Sequence, residues 1–163
     1  NIHSAIHGSR HDPKCVLHTH TPNGVAVSTQ RAGLLPISQH SLFVLGSVGY
    51  HHFEGPALDE DEKPRLVADL GDNRCLILRN HGLLTVGETV ADAFVNMYYL
   101  EASCQIQVRA QSGGGELINV PKEVMDKGYA NAAANQRKNG GQGGLVWPGL
   151  LRRLDRTDPS FRN

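Results

Sequence analysis

The sequence predicts a mixed α/β domain, and three observations carry that expectation. Apolar runs of strand length recur at residues 15–20, 50–53, 75–78 and 83–87. Elsewhere apolar residues repeat at three- and four-residue spacing, as in Ile2 and Ile6 and again in Val90, Ala93, Met97, Leu100 and Cys104, which is the stripe of a core-facing helix. The length, 163 residues with 39% hydrophobic and 20% charged, suits one globular domain and is short for two.

Taken in order, residues 2–10 place Ile and His on one helical face, and Asp12-Pro13 ends that helix because Pro disfavours helical backbone in the residue before it. Residues 15–20 read as a strand. Thr21-Pro22 has the chemistry of a helix start, Thr as cap and Pro in the first turn, with small residues following over 24–32. Residues 41–45 fit either a strand or a short helix, and 50–53 a strand. The acids Asp59 to Glu62 read as a solvated loop leading into a helix over 64–70, since acids favour helix N-termini. Residues 75–78 and 83–87 are extended, and 88–112 form the longest helix, ended by Gly113-Gly114-Gly115. That glycine run follows a helix and lacks the Lys-Ser/Thr of a phosphate loop. A polar helix over 121–138, a Gly-rich loop over 139–144 and an amphipathic segment over 145–155 complete the chain; the last carries Trp147, Leu150, Leu151 and Leu154 and is expected to dock on the body or on a neighbour.

Sixteen basic and sixteen acidic side chains balance, so no general electrostatic attraction to nucleic acid or an anionic membrane is expected. No apolar run reaches the roughly 18 residues of a membrane span, and no signal peptide is visible. Cys15, Cys75 and Cys104 are widely spaced in apolar runs, which reads as buried thiols in a reducing compartment, the cytoplasm.

The surplus is histidine, nine in all. In a strand, residues two apart share a face, so His18 and His20 would present two imidazoles to one cation. His81, in Asn80-His81-Gly82 after an apolar strand, fits equally a polar residue leaving a strand and a third ligand. Three His would complete the protein part of a catalytic metal site, leaving a position open. His3, His7 and His11 read as a surface stripe. His51 and His52 would point to opposite faces, so at most one turns inward; His40 is ambiguous.

Val16-Leu-His-Thr-His20 with Pro22 behind it, Leu78-Arg-Asn-His-Gly-Leu-Leu-Thr-Val-Gly87, and the long helix with Tyr98-Tyr99-Leu-Glu-Ala102 together resemble the class II aldolase and adducin head-domain family over about residues 2–112. Residues 145–162 resemble the C-terminus of its adducin-like bacterial branch. The resemblance implies a three-layer α/β/α sandwich around a mostly antiparallel sheet, and a homo-oligomer, often a tetramer. It implies His18, His20 and His81 as ligands of a divalent metal, zinc by the family's pattern, that polarises a carbonyl and stabilises an enediolate.

The family's acid/base residue would fall before Asn1, as would its phosphate loops, so no catalytic residue is assigned. The chain is therefore expected to be one domain, 1–163, lacking its N-terminal part, with 139–163 a loop and C-terminal segment. Residues 36–40, Pro-Ile-Ser-Gln-His, hold no Tyr where the aldolases have a catalytic one, and Glu101 reads as a surface or inter-helix residue. The expected function is a metal-dependent lyase of a small hydroxy-carbonyl or sugar-phosphate compound. The alternatives are an epimerase, dehydratase or decarboxylase of the family, or a non-enzymatic adducin-like module that binds the actin cytoskeleton.

Overall fold

A computed structural model of the chain describes residues 2–9, 14–55, 61–138, 141 and 143–162. Among the described residues four strands, β1 (Cys15–Thr19), β2 (Val48–His51), β3 (Cys75–Leu78) and β4 (Gly82–Gly87), form one sheet in the order β1-β4-β3-β2. Pairs β1/β4 and β3/β4 are antiparallel, as expected, and β2/β3 is parallel. The parallel pair arises because a helix, α4 (Glu62–Leu70), lies between β2 and β3 and returns the chain to the same end, which a tight hairpin cannot do.

Alternation along the strands builds two cores. Val16, Leu84, Val86, Leu76 and Leu78 face α4 and the N-terminal helix α1 (Ile2–Ser9), which contribute Leu66, Leu70, Ala5 and Ile6. Ile77, Cys75 and Leu83 face the other layer, where α2 (Pro22–Ser28) supplies Val27 and the long α5 (Val90–Ser112) supplies Met97, Leu100 and Cys104. Each fully buried Leu or Ile contributes roughly 1.5–3 kcal/mol, so the sheet is held from both faces. This is the three-layer sandwich.

Residues 41–45 resolve as helix rather than strand: α3 (Gln39–Leu42) is capped by the Ser38 hydroxyl accepting from Ser41 N, and a 3-10 turn follows at Leu45–Ser47. Helix α5 starts where Thr89 Oγ1 accepts from Asp92 N. Of its apolar stripe, Val90 is exposed and the other four residues are buried. Two buried side-chain bonds tie α5 to β4, Thr85 Oγ1 to Ala93 O (2.8 Å) and Asn96 Nδ2 to Val86 O (3.0 Å). The remaining helices are α6 (Lys122–Lys138) and α7 (Trp147–Thr157). The Trp147 ring meets Phe94 edge-on at 5.6 Å, yet no residue of α7 is buried. The expected break at Asp12-Pro13, and His11, lie outside the described residues.

Cys75 and Cys104 are buried and Cys15 partly so, all free thiols. Burial pushes the Cys75 and Cys104 thiols up to about 12. At mildly alkaline pH we therefore expect a thiol reagent to modify only Cys15 in the native protein and all three cysteines in denaturant, measured by mass spectrometry. The sign on stability follows: unfolded thiols ionise near 9.0 while these two stay protonated, so their contribution is lost as pH climbs from about 9 towards 12.

Candidate metal centre

The β3–β4 hairpin sets the first imidazole. Its loop, Arg79-Asn80-His81, turns with Asn80 in the left-handed region at φ 57°, a conformation Asn tolerates better than most side chains. The Arg79 amide donates to His51 O (2.8 Å) and its guanidinium to Gln30 O (2.6 Å), lying 4.3 Å over the Tyr50 ring. Gly82 lets β1 pass close by, since a Cβ there would overlap the Thr19 carbonyl oxygen. His81 is thereby turned toward the end of β1.

His18 pairs with Leu84 on the α1/α4 face, and His20 follows one residue past the strand. The three imidazoles meet. His18 Nε2 lies 2.8 Å from His20 Nε2 and 3.3 Å from His81 Nε2, and His81 Nε2 lies 2.9 Å from His20 Nε2. His18 and His81 are half-buried and His20 exposed. The Nδ1 of His18 is 2.8 Å from Leu83 O, an acceptor, so Nδ1 carries the proton and Nε2 presents its lone pair to the cluster. Three mutually close nitrogens, one of them without a proton, cannot all satisfy each other by hydrogen bonding.

The donor set fits a divalent cation. Tetrahedral metal–nitrogen bonds of about 2.0–2.1 Å put ligand nitrogens about 3.3 Å apart, so the cluster need open only a few tenths of an ångström. Burial holds His18 below the usual imidazole range, reinforced by repulsion from His81, His20 and His3, and outweighs the Leu83 carbonyl bond. Burial likewise lowers His81, with His20 and His51 acting in the same direction and Glu62 against it. Both shifts favour the neutral, ligating form.

Glu101 of α5 accepts from the Thr21 hydroxyl and, at 3.1 Å, from Asn23 Nδ2, anchoring the turn that carries His20. Thr21 thus occupies the cap position of α2 without capping it; its hydroxyl is used across the fold. His3 and His7 are exposed on α1, and the His40 ring lies 6.1 Å from that of Tyr99. His52 is exposed while His51 is buried, between Asp69 and Glu62. Glu62, read from sequence as part of a solvated acidic stretch, is only 8% exposed because its side chain turns in to His51. The signal that could have found this pair of acids is their seven-residue spacing, which places them on one face of α4; Asp59 and Glu60 lie outside the described residues.

Fold and site together define a three-layer α/β/α protein with three convergent histidines at one end of its sheet. The chain belongs to the Class II Aldolase and Adducin N-terminal domain family, which its residues 1–108 match. It is 54% identical over 162 residues to a "putative aldolase class 2 protein" of Pseudomonas aeruginosa, covering 99% of this chain and 62% of that one. The crystal structure of an aldolase II superfamily protein from Pseudomonas syringae superposes with a TM-score of 0.91 at 51% identity, covering 99% of this chain and 64% of that one. An L-fuculose 1-phosphate aldolase from Glaciozyma antarctica superposes at 0.68 with 31% identity, covering 80% of this chain and 49% of that one. The chain thus spans less than two thirds of these relatives. Among the described residues no helix is long and apolar enough to cross a membrane.

Proposed function

We propose that His18, His20 and His81 hold a divalent cation, zinc being well matched to three imidazoles, and that the chain carries the metal-binding core of a lyase acting on a small hydroxy-carbonyl or sugar-phosphate compound. The observation that carries this reading is the convergence of the three Nε2 atoms, with His18 already in the ligating tautomer. When bound, such a cation supplies Lewis-acid polarisation of a carbonyl oxygen at its open position. The chain's own residues do the rest of the positioning: Leu83 O orients His18, Glu101 steadies the turn after His20, and Asn80 aims His81. The likeness to an L-fuculose 1-phosphate aldolase supports the substrate class. Epimerisation, dehydration and decarboxylation draw on the same polarised carbonyl. The reading includes a homo-oligomer working in the cytoplasm.

The test is metal content and titration. The purified wild-type chain is expected to take up one zinc or cobalt ion per chain, and the double variant His18→Ala, His20→Ala none at the same concentration. A wild type that binds no divalent ion overturns the reading. A second reading, an interaction module, is favoured by 49% identity to alpha-adducin of Rattus norvegicus over 115 residues, 70% of this chain and 16% of that protein. Co-sedimentation with actin that survives loss of both histidines would support it.

A further inference from the structure

We propose that α7 is a docking arm: its apolar face lies across the exposed side of α5 in a second copy of this chain, and the exchange is reciprocal. The arm has a fixed root. Gly143 donates its amide to Asp92 Oδ1 (2.9 Å) in the first turn of α5, and a Cβ at Gly143 would overlap the backbone of Ala91, so a larger residue would push the arm off α5. The Gly143 carbonyl accepts from the amides of Val146 (3.1 Å) and Trp147 (2.9 Å), so the anchor runs straight into the helix. The Trp147 ring, edge-on to Phe94 at 5.6 Å, is a second hold on α5. Beyond that root the helix leaves its own body. Trp147, Leu150, Leu151 and Leu154 recur at three- and four-residue spacing and form one apolar stripe, yet no residue of α7 is buried and Leu154 is 40% exposed.

A matching stripe lies on α5. Val90, Phe94 and Tyr98, four residues apart, are all exposed, Val90 at 59% and Tyr98 at 57%. Phe94 and Trp147 join the two stripes into one surface, and contiguous exposed apolar area of this kind marks an interaction site. Charge and symmetry choose its occupant. Residues 145–163 carry four Arg and two Asp; Asp155 is held by Arg162 (2.6 and 2.9 Å), whereas Arg152, Arg153 and Arg156 are exposed. Residues 81–108 carry Glu88, Asp92 and Glu101 and no Lys or Arg. The arm is therefore basic and the stripe it matches acidic, and opposite signs steer partners together. Glu88, exposed beside Val90, would repel an anionic lipid surface from the same area. Both halves of the match are on one chain, so a second copy supplies all that the surface needs. A two-fold axis beside the Phe94–Trp147 contact lays each arm on the other copy's α5, a closed, isologous arrangement that covers both stripes at once. With roughly 20 residues a side, from 145–162 and the α5 stripe, it reaches the size of a standard interface.

This gives the homo-oligomer of the proposed reading its contact surface and does not depend on the metal. Analytical ultracentrifugation of the whole chain tests it, with zinc uptake measured on the same samples. Wild type is expected to sediment as a dimer or a multiple of dimers. Leu154→Glu sets an acid against acidic α5, and Tyr98→Arg sets a base against the basic arm. Each is expected to weaken self-association at least about tenfold, the scale of a central interface residue. Both positions are exposed, so each variant keeps the wild-type fold, checked by circular dichroism. Mixed in equal amounts, the two variants should pair again: one contact joins a native arm to a native stripe, and the other sets the new acid against the new base. A wild type that stays monomeric throughout the micromolar range, the weak limit for an interface of this size, overturns the proposal. So does an oligomer that both variants leave intact, or monomeric variants that fail to pair on mixing. A wild type that pairs in this way yet takes up no zinc fails the metal reading alone.

Discussion

Gly82→Ala is expected to lower the melting temperature by about 10 °C and to abolish zinc uptake. A Cβ at this position overlaps the Thr19 carbonyl oxygen and comes within 3.2 Å of His20 Cδ2. Neither neighbour is a side-chain tip that swings aside cheaply: one is strand backbone, the other a ring of the histidine cluster. Relief requires the end of β1 to move off β4. Overpacking of this kind costs on the order of 3 kcal/mol, and a domain of this size loses about 2–4 °C per kcal/mol. The same displacement carries His18 and His20 away from His81, so the loss of metal should exceed what the loss of stability alone predicts. Calorimetric melting with metal titration on the folded variant checks both parts; a variant that melts early yet binds zinc normally would contradict the geometry.

Gln107→Leu is the second large effect, here on the fold alone. Gln107 is fully buried in α5 and satisfies three groups at once: it accepts from Leu35 N (2.7 Å) and donates to Gly33 O (2.9 Å) and Gln30 Oε1 (2.7 Å). Leucine is close in volume, so no cavity forms, but the Leu35 amide and the Gly33 carbonyl lose their partner. Each buried unsatisfied group costs about 1–3 kcal/mol, giving a drop of roughly 3 kcal/mol in denaturant unfolding. Metal affinity should be nearly unchanged, because the clamp lies on the α5 side of the sheet and the histidine cluster on the other. Gln107 and Gly82 thus separate stability from site geometry.

Much of the site is legible in the sequence for a simple reason. His18 and His20 obey the two-residue period of a strand, and His81 follows an apolar run that announces the strand before it, so local pattern was enough to nominate all three. The parallel pairing of β2 with β3 was not legible, since strand direction depends on how α4 packs rather than on either strand's composition. Thr21 shows the same limit: its local chemistry is that of a cap, yet its hydroxyl goes to Glu101 on α5, and no window of neighbouring residues contains that choice. Glu62 is the sharpest case. Within its acidic run it looks solvated, and only the fold reveals that the helix turns it toward a buried imidazole. The α7 pattern, Trp147 with its leucines, is that of an amphipathic helix, yet among the described residues the helix buries none of its own residues.

Among the described residues the strand order β1-β4-β3-β2 leaves β1 at the rim of the sheet, paired with β4 alone. Rim strands are the first to peel away in local opening. His18 and His20 belong to that strand and its exit, whereas His81 sits on the interior hairpin, so an ion shared among them would rivet a loose border to a firm centre. Occupancy would then slow detachment of β1 as the free ion rises above its dissociation constant. On the proposed metal reading, amide hydrogen exchange in residues 15–19 is expected to slow as metal is added, while exchange in 75–78 stays unchanged.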